Sequence, residues 1–273
     1  MKILVFGAGV LGCGLARNFF RAGKDVTLLA RGSWGEKIRR DGLRIKDKFV
    51  PRVSVSHVPV VNGLRPDDRY DVIFVVMRYT QIGSILDVLR ADPTRNIVFV
   101  GNDVCARAVA AALPEKNVLF AFASSAGHRE ADRVVSIDLK KITIGPLSHT
   151  PANEELIGQI FAGTKYKVAY EPNMEDYLLC HAAFVLPVAF ACYKTDGDLK
   201  KLRGGYGLFG ADDRCQYRGL PRHPERRARH PAEGGRGLRE RGVPQDLPAL
   251  FQAHVRDEPR KDLRLRPRHE RGG

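Results

Sequence analysis

The sequence predicts an α/β fold with a mostly parallel sheet that is covered by helices on both faces. Two observations support this prediction: apolar strand candidates alternate with amphipathic helices up to about residue 203, and the first strand leads directly into a glycine-rich turn and a helix. The strands are predicted at 2–6, 25–30, 71–76, 97–100, 118–122 and 141–144, and the helices at 11–22, 34–41, 80–91 and 103–112. Asn153 is predicted to cap a short helix that begins at Glu154, and Asn173 a long one with Glu175 and Asp176 in its first turn.

The first strand and helix have the pattern of a dinucleotide-binding turn. The strand Ile3 to Phe6 precedes six residues with the spacing G-x-G-x-x-G, namely Gly7, Ala8, Gly9, Val10, Leu11 and Gly12. The first glycine allows a tight turn, the second lets backbone approach a pyrophosphate, and the third lets the helix pack closely on the sheet. We therefore predict a Rossmann-type domain in which these six residues bind a dinucleotide at the helix N-terminus.

Arg31 follows the second strand, at the position where NAD enzymes usually carry an acidic residue that holds the ribose 2′-hydroxyl. A carboxylate there would repel a 2′-phosphate, whereas a guanidinium binds it through charge-assisted hydrogen bonds. Arg31 therefore favours NADP as the cofactor. The alternative is that Arg31 is only a solvated surface residue.

Five segments in a fixed order resemble one enzyme family. They are MKILVFGAGVLG at the N-terminus, LLARGSWGEKIRRDGLRI at 28–45, DVIFVVMRYTQ at 71–81, Asn102 after the strand IVFV, and TIGP at 143–146. Together they make the N-terminal three quarters of the chain similar to the ketopantoate reductase (2-dehydropantoate 2-reductase) family. The resemblance implies a cytoplasmic, NADPH-dependent oxidoreductase of pantothenate biosynthesis that reduces a small 2-keto acid.

The same resemblance implies several site residues. Asn102 follows a strand at the carboxyl edge of the sheet, where the nicotinamide ribose and the substrate would lie, and it is carried over to both the catalytic and the cofactor-binding set. Arg78 stands in place of the family's lysine after the third strand and retains a charge for the cofactor. Gln81 matches the family residue.

The proton donor is the largest departure from the family. There a lysine on the first long helix of the second domain donates the proton, and asparagines follow one and two turns later. Alignment on Pro187 puts the apolar residues Leu178, Ala182 and Leu186 at these positions. The nearest polar substitute is His181, almost one helical turn from Leu178, which is either the proton donor or a histidine packed in a helical core.

Composition limits the other classes of function. The longest apolar run, Ala182–Cys192, is too short for a membrane span and contains Pro187. The 5 cysteines are odd in number and lack C-x-x-C spacing, which predicts reduced thiols in a cytoplasmic protein and no metal site. The net charge of +14 suits an anionic cofactor, and the Arg-rich C-terminal segment lacks the aromatic interleaving expected of a single-strand nucleic-acid binder.

We predict three segments: an NADP-binding Rossmann domain at 1–168, the start of a helical substrate and dimerisation domain at 169–203, and an Arg/Pro/Gly-rich tail at 204–273. The second domain is therefore truncated or disordered in this chain, and a homodimer would need it intact. The tail of 70 residues contains 15 Arg but no Ile, Met, Asn, Ser or Thr.

Two interpretations of the tail stay open. One is disorder, because so few apolar residues cannot offset the entropy of ordering. The other is a shifted reading frame in a GC-rich gene. Ile, Met, Thr, Asn and Lys need codons that begin with A, and these residues are absent or nearly absent. Reading one base later permits helix-forming stretches from Gly210 and from Val243.

Three functions follow from these observations. The first is an NADPH-dependent reductase of a 2-keto acid or related carbonyl, with a small-molecule substrate and neither nucleic acid nor membrane as partner. The second is a pseudoenzyme that binds NADP without turnover. The third is another two-domain NAD(P)-dependent dehydrogenase.

Overall fold

The structure, a computed structural model, describes residues 1–147 and 151–198. Its elements in chain order are β1 (Lys2–Phe6), α1 (Val10–Arg21), β2 (Asp25–Leu29), α2 (Gly32–Asp41), β3 (Leu43–Asp47), β4 (Val53–Ser56), β5 (Val60–Val61), β6 (Val72–Val75), α3 (Tyr79–Ile82), α4 (Leu86–Ala91), β7 (Asn96–Val100), α5 (Ala106–Ala111), β8 (Asn117–Arg129), β9 (Val134–Gly145), α6 (Pro151–Phe161), β10 (Lys167–Tyr170) and α7 (Met174–Lys194). A 3₁₀ turn, Gly83–Ile85, separates α3 from α4. The predictions for the tail 204–273 lie outside the described residues.

The sheet confirms the predicted α/β class. Six strands run parallel in the order β5-β2-β1-β6-β7-β8. Numbered among themselves along the chain, these strands have the order 3-2-1-4-5-6, which is that of doubly wound dinucleotide-binding domains. The strand order reverses between β1 and β6, and sheets of this kind bind ligands outside the carboxyl ends of the strands at this reversal point.

A curled extension of the sheet begins at β8. This strand was expected to end at residue 122, but it continues to Arg129 and pairs with β9 in antiparallel register. On its other side β9 pairs in parallel with both β3 and β10, and β4 closes the edge against β3. Sequence patterning does not predict this part of the fold. The extension of β8 is rich in Ser, Ala and Gly, so it has no apolar periodicity of the kind that marks a strand.

Aromatic side chains fill the core on the face of the sheet that α1 covers. The ring centroid of Phe74 on β6 lies 5.2 Å from that of Phe19 on α1 and 6.1 Å from that of Phe161 on α6. On the other face Phe99 stacks on Phe120 with 5.7 Å between centroids. Full burial of one such side chain stabilises the fold by about 1.5–3 kcal/mol.

A buried charged cluster fixes α1 against the curled part of the sheet. Arg17 is only 1% exposed, and its guanidinium donates to both carboxylate oxygens of Asp47 on β3, at 2.9 and 3.1 Å. Asp138 on β9 lies 3.5 Å from the same guanidinium and accepts a hydrogen bond of 2.9 Å from Asn18. Asn18 also donates to the hydroxyl of Tyr166, and burial raises the pKa of that phenol. This cluster holds the helix that follows the glycine turn.

Two predicted helix caps have different outcomes. Asn153 was expected to cap a helix beginning at Glu154, and this is wrong: α6 begins at Pro151, and Asn153 is buried, with its amide oxygen accepting from Asn117 at 2.8 Å. The hydrogen bond from Asn117 holds the Asn153 side chain away from the backbone N–H groups that a cap would bind. The cap at Asn173 is confirmed, because its side chain accepts the N–H of Asp176 at 3.3 Å.

The helix α7 continues through Pro187 to Lys194. Within the described residues it is the one helix long and apolar enough to cross a membrane, and a single helix of this kind is weak evidence for a span. Its first turns pack on the core through Met174 and Leu178, whereas Leu186 and Phe190 are exposed. The domain boundary expected at residue 168 falls inside β10, a strand of the main sheet.

Candidate functional site

The glycine turn has the geometry that its sequence pattern predicts. Gly7 has a φ of +129°, and a Cβ there would overlap the carbonyl oxygen of Val76 and lie 3.1 Å from its carbonyl carbon. A Cβ at Gly12 would overlap the carbonyl oxygen of Gly7. At Gly9, in contrast, nothing lies within 4 Å of such an atom. Two glycines are therefore needed for packing, and the third leaves open space in front of α1.

The open space lies at the reversal point of the sheet. The N–H of Val76 donates to the carbonyl of Phe6 at 2.9 Å, which joins the loops that follow β6 and β1. Helix α1 begins at Val10, with no side-chain cap at Gly9 and no acidic residue in its first turn. The N–H groups of that turn therefore remain available for an anion. These residues, including Ala8 and Leu11 within the turn, fit the pyrophosphate of a dinucleotide.

Arg31 lies beside this turn as the N-cap residue of α2, directly after β2. It is exposed, and within residues 1–147 and 151–198 its guanidinium makes no ion pair. The indole N–H of Trp34, in the first turn of α2, donates to the carbonyl oxygen of Ala8 at 3.0 Å. The guanidinium of Arg129 lies 5.2 Å above the Trp34 ring, within cation–π distance. Trp34 therefore ties α2, and with it Arg31, to the glycine turn.

Trp34 and Arg129 were not among the site residues predicted from the sequence. Trp34 is the one tryptophan of the chain and lies in the segment at 28–45, so its presence there was the available signal. Arg129 had no such signal, because it approaches Trp34 only through the extension of β8 that sequence patterning did not predict.

A second cleft lies after β6 and β7, the next two strands of the sheet. Its lining includes Met77, Tyr79, Gly101 and Asn102. Arg78 is the N-cap residue of α3, and its backbone N–H donates to the side-chain oxygen of Gln81 at 3.4 Å. The structure thus brings Arg78 and Gln81 to the loop next to the cleft that Asn102 lines. All three are on the carboxyl side of parallel strands, as the glycine turn is.

Asp103 also lines this cleft, and the sequence analysis did not select it. It is 4% exposed, and its Oδ1 accepts the N–H of Cys105 at 2.9 Å. Its Oδ2 is buried and has no hydrogen-bond partner in the described part of the chain. Burial raises the pKa of this carboxyl group. Its position directly after Asn102 was the signal that could have identified it.

His181 lies on α7 against β8. Its ring centroid is 4.2 Å from that of Phe122, and its ring is parallel to that of Tyr177 at 6.3 Å. Burial lowers the pKa of the imidazole, so the neutral form is favoured at pH 7. Leu178, one turn earlier, is 1% exposed and belongs to the core. No hydrogen bond joins His181 to Asn102 among the residues that the structure describes.

The described residues include no group of three or more His, Cys, Asp or Glu side chains that could hold a metal ion. The buried thiol of Cys13, on the first turns of α1, has its pKa raised by burial to about 12. It is therefore an inert core residue beneath the glycine turn.

Comparison with known proteins identifies a family for the first half of the chain. A family model described as ketopantoate reductase PanE/ApbA matches residues 3–149. No curated protein is significantly similar to the chain in sequence.

Solved structures with the same fold are remote in sequence. The 2-dehydropantoate 2-reductase from Porphyromonas gingivalis W83 has a TM-score of 0.62 at 18% identity, with 76% of each chain covered. The probable 2-dehydropantoate 2-reductase of Bacillus subtilis has a TM-score of 0.58 at 16% identity, with 67% of this chain and 62% of that chain covered. A ternary structure of D-mandelate dehydrogenase with NADH and anilino(oxo)acetate has a TM-score of 0.55 at 15% identity, with 67% of this chain and 61% of that chain covered.

The chain spans about three fifths to two thirds of the length of several of these structures, for example 60% of the ketopantoate reductase family protein from Ralstonia eutropha JMP134. At such low identity these likenesses establish the fold alone.

Proposed function

Because the chain belongs to the ketopantoate reductase PanE/ApbA family, as its match over residues 3–149 shows, we propose that it binds a nicotinamide dinucleotide and reduces the carbonyl group of a small 2-keto acid. The observation that carries the proposal is the glycine turn, with its open space in front of α1 at the reversal point of the sheet. Anions are stabilised there by free N–H groups and the helix dipole.

The cofactor that we propose is NADPH. Arg31 supports this choice, since it is exposed, lies beside the turn and has no protein carboxylate as a competing partner among the described residues. A charge-assisted hydrogen bond to a phosphate contributes about 1.5–3 kcal/mol. The D-mandelate dehydrogenase structure was determined with NADH, so this fold also accepts the cofactor without the 2′-phosphate. Arg31 is therefore the residue on which the choice depends.

The reduced nicotinamide, when bound, supplies the hydride for the carbonyl carbon. Negative charge then develops on the carbonyl oxygen, and a hydrogen-bond donor near this atom lowers the barrier. In our proposal the side-chain amide of Asn102 is that donor, because it lies at the carboxyl edge after β7. Arg78 and Gln81 hold the cofactor from the loop after β6.

His181 is the residue that we propose as proton donor, since it lies almost one helical turn after Leu178, where the resemblance puts the family's lysine. Its lowered pKa means that an imidazolium is populated only at acidic pH, so turnover through it should fall as the pH rises to 7.

Binding without turnover is a second candidate function. Leu178 is buried in the core at the position where the resemblance puts the catalytic lysine. Our proposal also includes the start of a second domain at 169–203. It includes a tail at 204–273 that a frame shift produced, and a homodimer would need the second domain intact. A panel of 2-keto acids assayed with NADPH separates the two candidates, because turnover of any of them excludes the second.

Titration of NADPH and NADH against the purified chain tests the cofactor proposal. We expect tighter binding of NADPH by about 10-fold to 150-fold, and loss of most of this difference in Arg31→Ala. Arg39→Ala is the matched control, because Arg39 is an exposed arginine in the last turn of the same helix. Equal affinities of the wild type for the two cofactors, or an equal effect of Arg39→Ala, would contradict the assignment.

A further inference from the structure

The function proposed above does not use Asp103, which lies in the cleft beside Asn102. One carboxylate oxygen, Oδ1, accepts the N–H of Cys105, and Oδ2 is buried without a partner within residues 1–147 and 151–198. Buried acceptors without partners are rare in folded proteins, because each loses its hydrogen bonds to water and gains none. Asp103 is therefore an unsatisfied carboxylate among the residues that line the cleft.

No cation in the described part of the chain is paired with Asp103. Val75, Ile82 and Phe99 give the cleft an apolar lining. Burial raises the pKa of Asp103, and the hydrogen bond from Cys105 is the one effect that lowers it. A positive charge brought into the cleft would therefore meet a carboxylate that no protein cation has neutralised.

The titratable and charged groups around the cleft belong to four places in the chain. Tyr79, whose phenol is half exposed, lines the cleft from α3, and the exposed thiol of Cys105 lies two residues after Asp103. Arg78 precedes α3. On α5, Arg107 is paired with Glu175 of α7, and its Nε lies 2.9 Å from that carboxylate.

Asp92 has the same hydrogen-bonding pattern as Asp103 but does not line the cleft. At the opposite end of β7 its Oδ1 accepts the N–H of Thr94 at 2.8 Å, and its Oδ2 is also buried without a partner in the described region. Asp92 precedes β7, on the edge of the sheet away from the glycine turn, and the ammonium group of Lys116 donates to its backbone carbonyl. Asp103 differs because it lines the cleft where Asn102 lies.

We propose that Asp103 makes this cleft prefer the oxidised, positively charged form of the nicotinamide cofactor over the reduced, neutral form. The inference rests on the proposed function, since it needs the nicotinamide end of the cofactor in this cleft. An ionised carboxylate attracts the charge of the oxidised ring more strongly in an apolar cleft than in water. The reduced ring has no such charge and leaves Asp103 free to keep a proton.

Proton release on binding follows from linkage, because two ligands that affect each other's affinity do so reciprocally. Oxidised cofactor lowers the proton affinity of Asp103, so a protonated carboxyl group releases its proton on binding. The raised pKa moves this window above the ordinary aspartate value of about 3.9. Release is therefore expected at mildly acidic pH and should disappear at higher pH, where the carboxyl group is ionised before binding.

Calorimetric titration of the full chain with NADP⁺ and NADPH, in two buffers of different ionisation enthalpy, measures both effects. In Asp103→Asn, which keeps the oxygen that accepts from Cys105, the ratio of the two dissociation constants should shift by about 10-fold toward the reduced form. Proton release with NADP⁺ should vanish. Asp103→Ser, which also keeps a side-chain oxygen that can accept the N–H of Cys105, should give the same shift. Asp92→Asn should behave as the wild type.

An unchanged ratio in both Asp103 variants would overturn the inference while leaving the proposed function intact, as would an equal shift in Asp92→Asn. If the wild type bound neither form, nor the NAD⁺ and NADH pair, the proposed function would fail and the inference with it. Thermal unfolding of each variant shows whether a changed ratio of the two dissociation constants comes from a folded protein.

Discussion

Alanine substitutions at three glycines near the start of α1 should separate packing from cofactor binding. At Gly12 a Cβ would overlap the carbonyl oxygen of Gly7 and lie 3.0 Å from its carbonyl carbon. Both are backbone atoms, so the helix or the turn must move. Overpacking of this kind costs about 1–3 kcal/mol in the free energy of unfolding. Gly12→Ala should therefore lose stability and also weaken NADPH binding, because the turn is displaced.

Gly9→Ala should leave stability almost unchanged and still abolish cofactor binding. The backbone of Gly9 is extended, with φ −79° and ψ −171°, and nothing lies within 4 Å of an added Cβ. The new methyl group would fill only the space in front of α1, where the pyrophosphate is expected. Gly14→Ala is the matched control, since it lies on the same helix with no atom near its Cβ, and a helix-interior alanine stabilises by about 0.5–1 kcal/mol.

Urea unfolding and fluorescence titration with NADPH, applied to the three variants, measure these two quantities independently. The expected pattern is a loss of both stability and binding at Gly12, a loss of binding alone at Gly9, and a loss of neither at Gly14. Normal NADPH affinity in Gly9→Ala would refute the argument that the open space in front of α1 is the pyrophosphate site.

Two further predictions concern the elements that support the turn. Arg17→Met should lower the free energy of unfolding by about 3 kcal/mol, the lower end of the range for a broken buried pair. Asp47 is partly exposed, and Asp138 is left buried with two neutral donors, the side chain of Asn18 and the backbone N–H of Lys140. Urea denaturation measures the change. The thiol of Cys13 is buried, and burial raises its pKa to about 12, so it should react with iodoacetamide far more slowly than the exposed thiol of Cys105. Mass spectrometry of the native chain distinguishes the two cysteines, and rapid labelling of Cys13 would show that α1 opens.

The first part of the fold could be predicted closely because local pattern and tertiary role coincide there. The strand expected at 2–6 is β1, and the helix expected at 11–22 is α1 at Val10–Arg21. Gly7 and Gly12 are required by close backbone contacts, and Gly9 leaves open space in front of α1, so the spacing of the three glycines is enough to predict where the turn lies. In contrast, β3 alternates buried Leu43 and Ile45 with charged residues over a few positions, a signal too short to separate from a loop.

The parts of the site that sequence reasoning missed depend on contacts between distant segments. Arg129 reaches Trp34 across 95 positions of the chain, through a strand extension that has no apolar pattern. Asp103 is distinguished by burial and by an unpartnered oxygen, neither of which can be inferred from its neighbours in sequence. His181 and Asn102 remain predictions, because no contact in the described residues tests their chemical roles.

Amide chemical shifts recorded during a titration with NADPH test the central claim most directly. The claim predicts saturable shifts at Gly7, Gly9 and Gly12, at Arg31, and at the cleft residues around Asn102. Amides on the opposite edge of the sheet, such as that of Thr94 beside Asp92, should not move. Saturable shifts confined to residues away from the glycine turn, or none at all, would contradict a dinucleotide site at the reversal point of this sheet.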